Sequence, residues 1–288
     1  MAKRPDPKQS GKQTQSQQRA RRQRASRERA ALESDAPPAS AQAEPASDVR
    51  LNKYIAQAGV CSRRKADELI AEGRVKIDGT VVTELGTRVS EGATVEVGGR
   101  VISPRSHYYL LLNKPGRTIT TTSDEQDRGT VMDLLDGLPN KDDLGLFPVG
   151  RLDRDTVGVL LITNDGELAN RLMHPRYETE KLYVVKTKEA VKPHEIDQLR
   201  EGIALEDGLA KADRVTYVAP PNHHEIGLQL HEGRNRQIRR MMEVLGHEVV
   251  HLERVRYAGL TTEGLRRGKW RRLTPHEVKA LRRRLKLR

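Results

Sequence analysis

PVGRLDRDTVGVLLITNDGELANRLMHPR, residues 148–176, carries the most structural information in this chain. Residues 158–163 are almost wholly apolar and read as a strand. An amphipathic helix over 167–173 follows, introduced by Asn164-Asp165-Gly166. Ahead of the strand, Gly150-Arg151-Leu152-Asp153 forms a loop. A carboxylate at such a junction is held by the rigid element behind it, which is where catalytic loop residues occur. Arg151 and Arg154 flank Asp153, so one loop offers an acid together with cations able to grip a phosphate. A single aspartate in a polar loop is also an ordinary turn former or surface ion pair.

Working outward, further strands are predicted over 108–112, 182–187, 214–218, 226–230 and 249–255, and helices over 131–135, 193–200 and 235–245. Strands outnumber helices and hairpin spacings recur. The expected fold is α+β: a mixed, largely antiparallel sheet flanked by helices over 107–275. Residues 50–97 form a smaller module, two short helices followed by strands over 74–77, 80–82 and 94–97. Leu51, Ile55 and Ala58 share one helical face, Gly59 ends that helix, and Ser62 caps the next. Residues 98–106 make the linker and 276–288 a basic C-terminal helix. Residues 1–49 form a basic tail whose only large apolar residues after Met1 are Leu32 and Val49, a composition expected to stay disordered. Its first thirty residues carry ten Lys or Arg against Asp6 and Glu28, and the run 19–29 could become helical on RNA.

The chain has 288 residues and a formal net charge of +12, which favours a polyanionic partner through release of condensed counterions. Cys61 is the single cysteine, so no intrachain disulfide forms. No run of 18 apolar residues exists, which excludes a spanning helix, and the basic N-terminus lacks the apolar core of a secretory signal. A cytoplasmic location is expected. Aromatic residues make up 3% of the chain, with Phe147 and Trp270 the only ones of their kinds, so the core rests on Leu, Val and Ile.

LNKYIAQAGVCSRRKADELIAEGRVKIDG, residues 51–79, resembles the RNA-binding domain named after ribosomal protein S4. That resemblance implies that Asn52, Lys53, Ser62, Arg63, Arg64 and Lys65 face an RNA backbone. The string at 148–176 resembles the signature of the RsuA/RluA-type pseudouridine synthases. The likeness continues in LLNKPGRTITT (111–121), KLYVV (181–185), LHEGRNRQIRRMMEVLGHEVVHLERVRYAGL (230–260) and LRRGKWRRLT (265–274). The domain order is that of the RsuA branch, and TNDGELANRLMHP with GIALEDG is most similar to the RluB branch, which acts on large-subunit ribosomal RNA near the peptidyl-transferase centre.

The resemblance implies that Asp153 is the catalytic aspartate, that Tyr183 packs on the target uracil and is implicated in proton removal, and that Arg239 pairs with the aspartate. Arg151 would help hold the target nucleotide everted. Lys114, Arg154, Arg234, Arg236 and Arg240 are the further expected RNA contacts. The implied reaction breaks the N1–C1′ bond, turns the uracil and joins C5 to C1′. Asp153 could act as nucleophile at the sugar or abstract a proton to give a glycal, and the sequence leaves both routes open. No step asks for a metal, a redox group or a small-molecule cofactor. The expected partner is ribosomal RNA, with the large subunit favoured over the small, and the expected state is a monomer.

Two other readings stand beside this one. A binding protein that has lost catalysis would act as an assembly factor. His247-Glu248-Val249-Val250-His251 matches the H-E-x-x-H zinc pattern, which requires both histidines on one helix face. Here Gly246 ends a helix and alternation favours a strand.

Overall fold

The structure is a computed structural model and describes residues 49–287. The basic tail predicted for residues 1–49 lies, apart from Val49, outside the described residues.

The first module contains β1 (Val49–Arg50), α1 (Leu51–Gln57), α2 (Arg63–Ala71), β2 (Val75–Ile77), β3 (Thr80–Val82), β4 (Arg88–Val89), β5 (Val95–Val97) and β6 (Arg100–Ile102). Leu51 and Ile55 of α1 meet Ala66, Leu69 and Ile70 of α2 over Val75 and Val95. The sheet order is β3-β2-β5-β6, with β1 and β4 paired separately. Ser62 caps α2 by accepting from the Lys65 amide at 3.3 Å. β6 extends the module into residues expected to be linker, because Gly98 and Gly99, both at positive φ, turn the chain back onto β5. Gly59 is fixed by contact: a Cβ there would lie 2.5 Å from the Asp143 carbonyl of the larger domain.

The larger domain runs through β7 (Tyr109–Lys114), β8 (Phe147–Pro148), β9 (Val157–Thr163), α3 (Gly166–Met173), β10 (Lys181–Thr187), α4 (Pro193–Glu201), β11 (Ile203–Leu205), β12 (Gly208–Ala210), β13 (Arg214–Ala219), β14 (Asn222–Leu230), α5 (Gln237–Val244), β15 (Val249–Tyr257), β16 (Leu260–Thr261), β17 (Trp270–Arg272) and α6 (Pro275–Arg284). The main path is β13-β14-β10-β15-β9-β7-β17, with β16 on β15 and β8 on β9. Only β15 and β9 run parallel, so the sheet is mixed and largely antiparallel. All seven residues of β9 are buried. Val159 and Leu161 pack on Leu168 and Leu172 of α3 and Leu281 of α6, while Leu160 and Ile162 pack on Val131, Leu135 and Leu146. A third core joins β10, β13 and β14 to α4 and α5.

The helix expected over 131–135 is a run of turns. Asp133 accepts from both the amide and the hydroxyl of Thr130, and Leu135 N–H bonds to Met132 O, an i→i−3 contact. Val131 and Leu135 are nonetheless fully buried, so their spacing of four reports burial without a helix. The helix expected from 235 starts at Gln237, because Arg236 sits in the left-handed region at φ 47°. The short β11–β12 hairpin and β17 went unpredicted.

Gly158 lets the parallel pair close. It lies opposite Arg254, and a Cβ there would stand 2.2 Å from the Arg254 carbonyl oxygen, with φ at +105°. Overpacking and left-handed strain together predict that Gly158→Ala destabilises the domain by about 2–5 kcal/mol. Urea unfolding of the two proteins measures this, and an unchanged midpoint would contradict it.

Candidate active site

Asp153 is presented by a loop whose backbone is tied from behind. The side chain of Lys114, at the end of β7, is fully buried. Its ammonium lies 2.9 Å from Thr156 O, 3.0 Å from Arg154 O, and 3.1 Å from both Asp153 O and Pro115 O. Thr120 adds a second tie: its hydroxyl donates to Leu152 O at 2.8 Å and accepts from Leu152 N–H at 3.3 Å. Leu152 is buried, and Gly150 turns the chain at φ +75°. With the carbonyls drawn inward, the Asp153 carboxylate is left on the wall of a cavity of about 260 Å³. The expectation that Lys114 contacts RNA is therefore corrected: no part of it reaches solvent, and its cation holds the loop. Burial pulls the Lys114 pKa down to about 8, partly opposed by Asp155 and Asp153.

Tyr183 reaches the same cavity from β10, paired across the strands with Leu228 on one side and Arg254 on the other. Arg239 approaches Asp153 from α5. Its Nε is 3.9 Å from Asp153 Oδ2, while Nη1 donates to Val249 O at 3.2 Å. At 3.9 Å the contact is coulombic and not a hydrogen bond, and Nε has no hydrogen-bond partner although it is buried. The three residues singled out for the chemistry thus converge.

The expected RNA contacts divide. Arg151 and Arg236 are exposed at the cavity, and their side chains make no described contact with the protein. Arg154 is exposed beside it. Arg234 is largely committed: it donates to Glu232 and to the carbonyls of Asp207, Gly208 and Leu209. Arg240 is bidentate to Asp207 at 2.9 and 3.0 Å. Arg240 fastens the β11–β12 hairpin to α5 and Arg234 fastens it to the loop before α5, so they offer fewer donors to phosphate than a free guanidinium. In the first module Ser62 is the α2 cap, Asn52 donates to Asp67 and accepts from Arg63, and Lys65 pairs with Glu68 at 2.6 Å. Lys53 and Arg64 carry the cations there without described partners, and Arg63 has only its 3.4 Å contact.

His247 is buried and bonds Glu195 at 2.9 Å, whereas His251 lies exposed on β15. The zinc pattern therefore has neither its helix nor convergent histidines, and among the described residues no group of three His, Cys, Asp or Glu is placed to hold a metal. The Thr163-Asn164-Asp165 run is scaffold: Asn164 ties Ser106, Tyr108 and Leu144, and Asp165 caps α3.

Two site residues escaped the sequence reading. Lys181 lines the cavity and donates to His231 O at 2.6 Å. Burial, with Arg254 nearby, draws its pKa down to about 8. Arg254 also lines it, 3% exposed. Its only legible signal was an arginine at an inward position of an alternating strand.

Known proteins resemble this chain over most of its length. A profile of RNA pseudouridylate synthases matches residues 108–244, and an S4 domain profile matches residues 49–95. "Ribosomal large subunit pseudouridine synthase B" of Bacillus subtilis (strain 168) is 49% identical over 237 residues, 81% of this chain and 95% of that protein. An "Uncharacterized RNA pseudouridine synthase" of Aquifex aeolicus (strain VF5) is 40% identical, over 81% of this chain and 94% of its own length. A pseudouridylate synthase crystal structure superposes with a TM-score of 0.57 at 28% identity, covering 81% of this chain and 99% of the other. With the acid and the tyrosine lining one cavity, Arg239 3.9 Å from the acid, an S4 domain earlier in the sequence and relatives matched almost end to end, the chain belongs to the RNA pseudouridine synthase family.

Proposed function

We propose that this protein converts one uridine of large-subunit ribosomal RNA to pseudouridine, acting as a monomer through Asp153 and without a cofactor. The observation that carries this reading is the Asp153 carboxylate, held on a tied loop and turned into a cavity that Tyr183 also lines. The large-subunit substrate is supported by the name of the Bacillus relative.

A uridine in RNA must leave its stack to enter such a cavity, at a cost of roughly a few kcal/mol. Stacking on the Tyr183 face returns about 1–3 kcal/mol. Arg151 and Arg236 stand at the mouth, where the phosphates of an everted nucleotide would lie. Inside, the Asp153 carboxylate either bonds to C1′ as N1 leaves and is itself displaced when C5 of the turned uracil bonds there, or takes the C2′ proton as N1 leaves and the proton is returned to C2′ as C5 bonds to C1′. In both routes the C5 proton is then lost to a base in the cavity, for which Tyr183 is the candidate, and N1 ends protonated. Arg239 keeps a positive charge beside the acid at a distance that leaves the carboxylate oxygens unbonded by it. The exposed cations Arg63 and Arg64 of the first module, with half-buried Lys53 beside them, suit the backbone of the same RNA at a second point.

Asp153→Asn keeps the loop's shape and removes the acid. On an unmodified large-subunit transcript its rate should fall by about 10³-fold or more, with RNA affinity within a few-fold of wild type. Pseudouridine formed at the wild-type rate would remove Asp153 from the chemistry.

A site-resolved pseudouridine map of ribosomal RNA from cells with and without the gene tests the substrate. One large-subunit position should lose its modification. Loss in small-subunit RNA would favour the other branch, and no loss anywhere would favour a binding factor.

Lys114 sets a pH dependence. Its folded pKa of about 8 lies below the unfolded value of about 10.4, so between these values the unfolded chain binds the more protons. The group's contribution to stability therefore rises with pH across that window. Activity should move the opposite way, because a neutral amine has two N–H donors for four carbonyls. A fall in kcat above about pH 8 with unchanged RNA affinity is expected, and a flat profile to pH 10 would contradict it.

A further inference from the structure

Arg254 is a cation that the assigned chemistry leaves unused. It sits at the centre of β15, where Gly158 allows β9 to close against its backbone. Its side chain is held on two sides: Nε donates to Val159 O at 2.9 Å, and the guanidinium carbon lies 4.4 Å from the centre of the Tyr257 ring. Nη2 is buried with no hydrogen-bond partner, on a residue that lines the catalytic cavity. A buried charged donor left unmet is a free-energy cost that folding alone does not recover. Its cross-strand neighbour is Tyr183, so the two side chains share a face of the sheet. A base stacked on Tyr183 brings its edge toward Arg254.

The chemistry of the base selects what that donor meets. Uracil carries two carbonyl oxygens, and a half-turn about its N3–C6 axis exchanges O2 with O4 as it exchanges N1 with C5. A donor fixed in the wall therefore finds a carbonyl both before and after the turn. Cytosine would present an amine in one of the two orientations. Phosphate is the poorer match, because the donor is deep in the cavity while Arg151 and Arg236 are exposed at its mouth. We propose that Arg254 holds a carbonyl of the target uracil in both orientations, retaining the base while it is detached from C1′ and selecting uracil over cytosine. This rests on the isomerase reading above.

The test uses wild type, Arg254→Met and Arg254→Lys on RNA carrying uridine, 2-thiouridine or 4-thiouridine at the target, a thiocarbonyl being the weaker acceptor. Wild-type turnover of the plain RNA comes first, since its absence would remove the isomerase reading itself. Each thio substitution should slow wild type roughly 10-fold or more. In Arg254→Met, RNA affinity should stay within a few-fold, kcat should drop, the thio effect should shrink below about twofold, and free uracil with an abasic site should appear as a side product. A merely structural arginine would not change that partition. Arg254→Lys should restore part of the retention. The proposal is overturned if both thio RNAs react with wild type at the plain rate, or if they slow wild type and Arg254→Met equally. Should Arg254→Met fail to fold, the wild-type thio rates and the lysine variant still decide it.

Discussion

One ammonium among four carbonyl oxygens is the contact on which the active site depends. The loop that presents Asp153, the proposed acid, is irregular, and irregular backbone leaves carbonyls without the partners a helix or ladder would supply. Lys114 gathers those of Pro115, Asp153, Arg154 and Thr156 at 2.9–3.1 Å from beneath. The carbonyl and carboxylate of Asp153 are thereby sent to opposite sides, one into the protein and one into the cavity. A water molecule offers fewer donors than the ammonium and would leave the loop free to turn over. The buried charge is therefore the means by which a flexible sequence, Gly150-Arg151-Leu152-Asp153, is held in one conformation.

The remaining architecture brings distant strands to that loop. β9 is buried on both faces because helices α3 and α6 cover one side and the 131–146 segment the other. This makes β9 the rigid member against which β15 closes in parallel and β7 in antiparallel pairing. β7 delivers Lys114, β15 delivers Arg254, and β10, next along, delivers Tyr183. Arg239 alone comes from a helix, and α5 is fixed in turn by the Arg240–Asp207 bidentate pair and the Arg234 fan of carbonyls. The cations of this segment thus divide between holding the site together and facing the solvent from which RNA arrives.

Long apolar alternation was legible without coordinates. β9, β10, β14 and β15 lie within a few residues of their expected bounds, and so do α3 and α4. Short range failed where side chains compete with the backbone. Asp133 and Thr130 replace a helical turn at 131–135, and Arg236 in the left-handed region removes the first turn of α5. Asp153, Tyr183 and Arg239 were visible only through likeness to a family, since 86 residues separate the acid from the arginine and no periodicity links them. Lys114 shows the opposite error. A lysine in a basic chain suggests phosphate, and nothing in its neighbours Asn113 and Pro115 announces that four carbonyls surround it. Arg254 was not singled out, because parity along β15 does not reveal that Gly158 has made room for β9 to close against it.

Ion pairs in this protein differ in a way that bears on catalysis. Arg240 meets Asp207 through two hydrogen bonds, and Arg271 meets Glu277 the same way at 2.7 and 2.8 Å. Both carboxylates are held well by their arginines, and both pairs anchor structure: Arg271 and Arg240 draw the pKa of Glu277 and Asp207 below the usual carboxylate range. Asp153 and Arg239 approach no closer than 3.9 Å. In the proposed reaction a fork-on pair would occupy the lone pairs with which the carboxylate reaches a sugar carbon or proton, and would have to be broken first. A cation held back by its own bond to Val249 O supplies field without that obstruction. The looser pair is thus the one suited to chemistry.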